Sequence, residues 1–116
     1  MIKKGDYIRA YNGFIGKLEY IDPIGIDYNH YHFENSFEEL YDDDIKLVKE
    51  GLIDLIEEGD YVNGFKVLKI LSHSSQLIFV TYKYNGHNYT KILNNEDIKS
   101  IVTKEQFENI EYRIGE

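Results

Sequence analysis

Gly5-Asp6-Tyr7-Ile8 and Gly59-Asp60-Tyr61-Val62 are two versions of one phrase. Each opens a run in which apolar and polar residues alternate. Each is answered later by an acidic-Ile-Lys closer, Asp44-Ile45-Lys46 in the first half and Asp97-Ile98-Lys99 in the second. From opening glycine to closing isoleucine the distance is 40 residues in the first half and 39 in the second. A motif repeated at a repeated spacing marks an internal duplication, so the chain reads as two similar β units in tandem.

Working outward, the first unit spans residues 1–48. Alternation over 6–11 and 14–21 predicts two strands joined at Asn12-Gly13. Asp22-Pro23-Ile24-Gly25 has the residues of a type I turn, with Asp first, Pro second and Gly fourth. A third strand is expected over 26–33. The acidic stretch 36–44 is read as a fourth strand or an irregular loop, before Ile45–Val48 close the unit. Residues 49–58 form an acidic and apolar linker in which Leu52, Ile53, Leu55 and Ile56 suggest a short helical turn. The second unit, 59–116, turns at Asn63-Gly64 and carries strands over 65–71, 77–84 and 88–93. Ser72-His73-Ser74-Ser75 is a polar turn, and Asn85-Gly86 is the clearest hairpin signal. Thr103 is expected to cap a helical turn at 104–108, with Gln106 completing a capping box. A last short strand is expected at 112–114. Four to five short strands per unit, with turns every 8–12 residues, predict a mainly β protein. Its units would be two small SH3-like barrels or bent antiparallel sheets. A lone unit of about 50 residues would be marginal, so the two are expected to pack together.

The chain has 116 residues and no cysteine, which excludes disulfides, thiolate zinc sites and cysteine nucleophiles. Hydrophobic residues make up 42%, enough for a core rather than a disordered chain. The longest apolar runs are strand-sized, and no leader is apparent, so a cytoplasmic protein without membrane attachment is expected. Formal net charge is −8. Residues 34–60 hold eleven carboxylates against Lys46 and Lys49, while the remainder of the chain is close to neutral. Such a field repels nucleic-acid phosphates and attracts basic surfaces. Its ordinary alternative is a solvated acidic face.

Other chemistry is poorly supplied. The paired carboxylates stand in a dense polar run, where water screens them, rather than in a cleft that separates their pKa values. Asp42-Asp43-Asp44 lacks the ligand spacing and central glycine of a calcium loop. Ser72–Ser75 lack a nucleophile elbow, and no phosphate-binding loop is present. His30 and His32 share a strand face with Tyr28 and Glu34. A metal there would need two further ligands, and surface histidines among tyrosines are the default reading. No catalytic residue, metal or cofactor is therefore expected. Eleven tyrosines, most of them in strands, supply cross-strand packing and, where exposed, interface anchors.

The opener followed by Asn-Gly and Ile-Gly-Lys looks like the start of a KOW or SH3-like unit. Residues 95–108, Asn-Glu-Asp-Ile-Lys-Ser-Ile-Val-Thr-Lys-Glu-Gln-Phe-Glu, resemble small uncharacterised proteins of phages and prophages in low-GC Gram-positive bacteria. So does Ile53-Asp54-Leu55-Ile56-Glu57 leading into Gly59-Asp60-Tyr61-Val62-Asn63-Gly64. The likeness covers 53–116 best and 5–21 less well, and its motifs carry over no catalytic residue. It implies a non-enzymatic inhibitor of a host defence protein, of the anti-CRISPR kind, acting in the bacterial cytoplasm. The partner would be a host protein with a basic, nucleic-acid-binding surface, met partly by imitation of phosphates. Glu38, Glu39, Asp42, Asp43, Asp44, Glu57, Glu58 and Asp60 would make the contacts, with Tyr41 and Tyr61 as anchors. Direct binding of nucleic acid is not expected, and homodimer formation stays open. Two alternatives remain. One is a sponge for a host nucleotide signal, for which Lys17, Lys66, Lys69, Lys83 and Lys91 are the available cations. The other is a KOW-like adaptor in a nucleic-acid or transcription complex.

Overall fold

The computed structural model describes residues 2–74 and 76–110. The strand expected at 112–114 lies outside them. The chain divides into two compact units, Met1–Leu55 and Ile56–Glu116. The first contains β1 (Tyr7–Ala10), β2 (Ile15–Gly25), β3 (Tyr28–Phe33), β4 (Glu39–Tyr41) and β5 (Ile45–Lys49). The second contains β6 (Tyr61–Val62), β7 (Phe65–His73), β8 (Leu77–Tyr84), β9 (His87–Asn94), β10 (Ile101–Val102) and the helix α1 (Lys104–Ile110). Each unit has one five-stranded sheet, β4-β3-β2-β1-β5 and β10-β6-β7-β8-β9, with every pairing antiparallel. The two orders are the same when strands are numbered within their unit: the first strand lies between the last and the second. The repeat read from sequence is thus a repeat of topology.

The repeated motifs owe their recurrence to backbone chemistry. Gly5 and Gly59 have φ of 91° and 100°, a region that L side chains rarely enter. The aspartate after each glycine folds its carboxylate back onto the turn. Asp6 accepts from the Lys3 N–H at 2.9 Å, and Asp60 from the Glu57 N–H at 2.8 Å. Both aspartates are buried. Their carbonyls receive the first bonds of the following hairpins, from Leu18 N–H and Val67 N–H, both at 2.8 Å. The closers are a second shared device. Asp44 and Asp97 end three-residue 3₁₀ turns, Asp42–Asp44 and Asn95–Asp97. Each carboxylate accepts the N–H of the residue before its turn, Tyr41 at 2.9 Å and Asn94 at 3.0 Å.

Two turns differ from expectation. Ser72 and His73, read as the start of a polar turn, are the last residues of β7 and pair with Phe79 and Ile78. Asp22-Pro23-Ile24-Gly25 is strand: β2 runs to Gly25, and the chain reverses at Ile26 and Asp27, with Asp27 at φ 55°. A register irregularity between Pro23 and Gly25 lets the proline sit in the hairpin without a ladder donor. The extended β2 serves two neighbours. Its first residues pair with β1, and the rest, from Leu18 on, pair with β3. β7 does the same for β6 and β8. Asn63-Gly64 and Asn85-Gly86 turn as expected, with all four residues at positive φ. Thr103 and Gln106 form the expected capping box, at 3.1 and 3.3 Å. The 3₁₀ turn Leu52–Leu55, inside the stretch read as a linker, falls in the first unit.

The first core packs Ile8, Ala10, Leu18, Tyr31, Phe33 and Leu40. In the second unit Val62, Val67, Ile78, Val80 and Leu93 are buried. Asp6 makes the first core pH-sensitive. Burial pushes its carboxyl up, but the Lys3 N–H bond and the Lys3 ammonium, 3.0 Å away, pull harder, and the result lies below the ordinary 3.8. A depressed carboxyl contributes stability above its unfolded value and loses it as pH falls through the folded value. The first unit should therefore weaken below about pH 4, and more steeply than an Asp6→Asn variant. Urea unfolding at stepped pH checks this; equal slopes in the two proteins would refute it.

Candidate functional site: the acidic and aromatic rim of the first unit

Five of the predicted contact acids lie in the first unit, four of them on β4 and the 3₁₀ turn after it. Only Glu38 precedes β4, and its side chain is exposed. Glu39 opens β4 and is exposed, with an oxygen 3.3 Å from Nε2 of His30. Asp42 is half-buried. It accepts the Tyr31 hydroxyl at 2.6 Å and the Asn29 N–H at 3.0 Å, which ties the turn to β3. Burial and that bond push the Tyr31 phenol up. Asp44 is exposed but spends one oxygen on the Tyr41 N–H. Asp43 is exposed at the apex. After burial, the fields of Asp43, Asp44 and Asp42 are the main reason the Tyr28 phenol lies above its ordinary value. The three carboxylates thus act on one spot at the end of β3.

The other predicted acids are in the second unit and serve its structure. Asp60 is wholly buried and holds the Glu57 and Lys104 N–H groups, at 2.8 and 2.9 Å. Its expected role as a surface contact is corrected: a carboxylate at zero exposure is out of reach of a partner. Glu57 pairs with Lys104 at 3.0 Å, and Glu58 accepts the Ile70 N–H at 3.0 Å. Of the two expected anchors, Tyr61 is half-buried against Phe107, with ring centroids 4.9 Å apart. Tyr41 is exposed and stacks on both His30, at 4.5 Å, and Tyr28, at 5.9 Å.

Strand alternation organises the face beside this rim. Ile21, Tyr31, Phe33 and Leu40 point into or against the core, so their neighbours point outward. Register then builds a grid of two rows across β2, β3 and β4. One row is Tyr20, His32, Glu39; the other is Asp22, His30, Tyr41. Tyr20 stacks on His32 with centroids 4.2 Å apart and planes 12° from parallel. His30 and His32 are 4.3 Å apart. Glu34, expected on this face, lies beyond it, 3.9 Å from Lys17.

Sequence reading missed Phe37. It is fully exposed, one residue before Glu38, at the entry to an edge strand. A lone aromatic inside Asn35-Ser36-Phe37-Glu38-Glu39, too short a run to alternate, was the available signal. Among the described residues no helix is long and apolar enough to cross a membrane. No protein-family model, curated protein or solved structure matches the chain.

Proposed function

We propose that this protein is a non-enzymatic protein-binding module whose first unit docks on a basic surface. The observation that carries this reading is the rim formed by β4 and its 3₁₀ turn. There Glu38, Glu39, Asp43 and Asp44 are exposed, together with Phe37 and Tyr41. Carboxylates around aromatic anchors fit a cationic partner. The charges speed encounter and reject anionic surfaces, and the rings supply contact area once the surfaces meet. β4 also lies at the edge of its sheet, so its outer backbone groups face away from the sheet's other strands.

The partner class we infer is a nucleic-acid-binding protein, whose phosphate-binding surface the carboxylates would occupy. The likeness to phage proteins favours a host defence nuclease among these. The test uses a double charge reversal, Glu38→Lys with Asp43→Lys. Both side chains are exposed, and neither makes a hydrogen bond among the described residues. Proteins captured from a host lysate by the wild-type chain should be nucleic-acid-binding proteins. They should be released on raising salt, and the double variant should bind them on the order of 10- to 100-fold more weakly. Undiminished capture by the double variant, or capture indifferent to salt, would exclude this mode of docking.

A further inference from the structure

The two central histidines of the outer grid have a third donor beside them. Asp22 sits directly across from His30 on β2, and His32 follows His30 by one strand period. One donor atom from each of Asp22, His30 and His32 lies within 4.8 Å of the others. We propose that these three side chains form a binding site for a first-row divalent transition ion, zinc foremost.

Four observations converge. The first is the donor set. Two imidazoles and a carboxylate suit zinc and its neighbours, whereas magnesium and calcium prefer oxygen alone. The second is spacing. Metal–donor bonds of about 2.0–2.2 Å require donors a few ångströms apart, so small side-chain rotations close the site. The third is preorganisation. Tyr20 lies flat on His32, and Tyr41 lies 9° from parallel on His30, so both rings are held in place before any ion arrives. The fourth is that Nε2 of each ring is buried without a hydrogen-bond partner among the described residues. His30 Nε2 has the Glu39 carboxylate 3.3 Å away but out of hydrogen-bond alignment. A buried ring nitrogen lacking a partner is costly, and a metal bond or a bond to a ligand relieves it. Asp22 and Glu39 together also balance the charge of a dication.

The site pins β2 to β3 where the strand register is irregular, next to Pro23. Of the three donors, Asp22 is exposed, while Nε2 of each histidine is buried. An ion held there would brace the hairpin.

Zinc titrated into the full chain at neutral pH should bind one equivalent saturably and raise the melting temperature. Asp22→Asn, His30→Gln and His32→Gln should each weaken binding at least about 10-fold, as loss of an interaction in a metal site does. A double variant of the two remaining histidines, His73→Gln with His87→Gln, should bind as the wild type does, and magnesium should give no shift. Cobalt in place of zinc should show the absorption of a nitrogen–oxygen tetrahedral or five-coordinate site, lost in His32→Gln. The three ligand side chains lie on the outer face, and circular dichroism without metal checks that the variants fold. Asp22→Asn, at an exposed position, decides the matter if a histidine variant does not fold. Absence of saturable binding, or binding that survives both Asp22→Asn and His32→Gln, overturns the site.

Discussion

Replacing Asp60 with alanine should lower the unfolding free energy of the second unit by about 3–5 kcal/mol. The carboxylate is wholly buried and ties its own turn to a residue 44 positions further along the chain. One oxygen takes the Glu57 N–H in the turn before β6, and the other takes the Lys104 N–H at the first residue of α1. Alanine strands both donors, each at roughly 1–3 kcal/mol, and removes a negative charge from the helix N-terminus. A small domain is stable by only about 5–15 kcal/mol in total, so this is a large fraction of what holds the unit folded. Asp60→Asn keeps one acceptor oxygen and should lose less. Urea unfolding followed by tyrosine fluorescence measures both, since the chain has no tryptophan. A loss below about 1 kcal/mol for the alanine variant would contradict the assignment. Asp6→Ala should be milder, because Asp6 holds the Lys3 N–H and the solvent-reaching Lys3 ammonium and bridges no distant segment.

Arg9→Ala should cost the first unit a similar amount, about 3–5 kcal/mol. Arg9 is the largest fully buried side chain in the protein's described residues. Its Nη1 donates to the Leu55 carbonyl at 2.9 Å, so it fastens β1 to the 3₁₀ turn Leu52–Leu55. Truncation opens a cavity where the aliphatic stem packs and leaves that carbonyl without its donor. Arg9→Met refills much of the volume and should recover part of the loss, because replacing a buried ion by a packed apolar chain is often tolerated. Equal losses in the two variants would place the whole effect in the polar contacts of the guanidinium; an alanine variant as stable as wild type would refute the buried role altogether.

These two residues show where sequence reading reached and where it stopped. Asp60 belonged to the phrase that revealed the duplication, yet from sequence it looked like one more surface acid. The repeat motif was legible because its chemistry is local. A glycine at positive φ, an aspartate folding back three residues and a 3₁₀ turn closed by its own aspartate all act within four residues of themselves. Arg9 shows the converse. Period-two alternation between Ile8 and Ala10 places it on the solvent side of β1, yet it is wholly buried and bonds the distant turn at Leu52–Leu55. The acidic run illustrates the same limit. Eight carboxylates close in sequence were sorted by the fold into exposed side chains, turn caps and one buried brace, according to which backbone donors each met.

Asp22 carries the contrast furthest. Asp-Pro-Ile-Gly reads as a turn because each residue favours one locally. Pairing of β2 with β3 outweighs that preference, moves the reversal to Ile26 and Asp27, and sets Asp22 opposite His30. The sequence alone determined that there are two units, that they are mainly β, and where most strands and tight turns fall, because alternation, positive φ and capping are short-range. The tertiary structure decided which acids face solvent, which tyrosines stack, and which three side chains converge on one point. Those follow from cross-strand register, a relation between residues that no local pattern encodes.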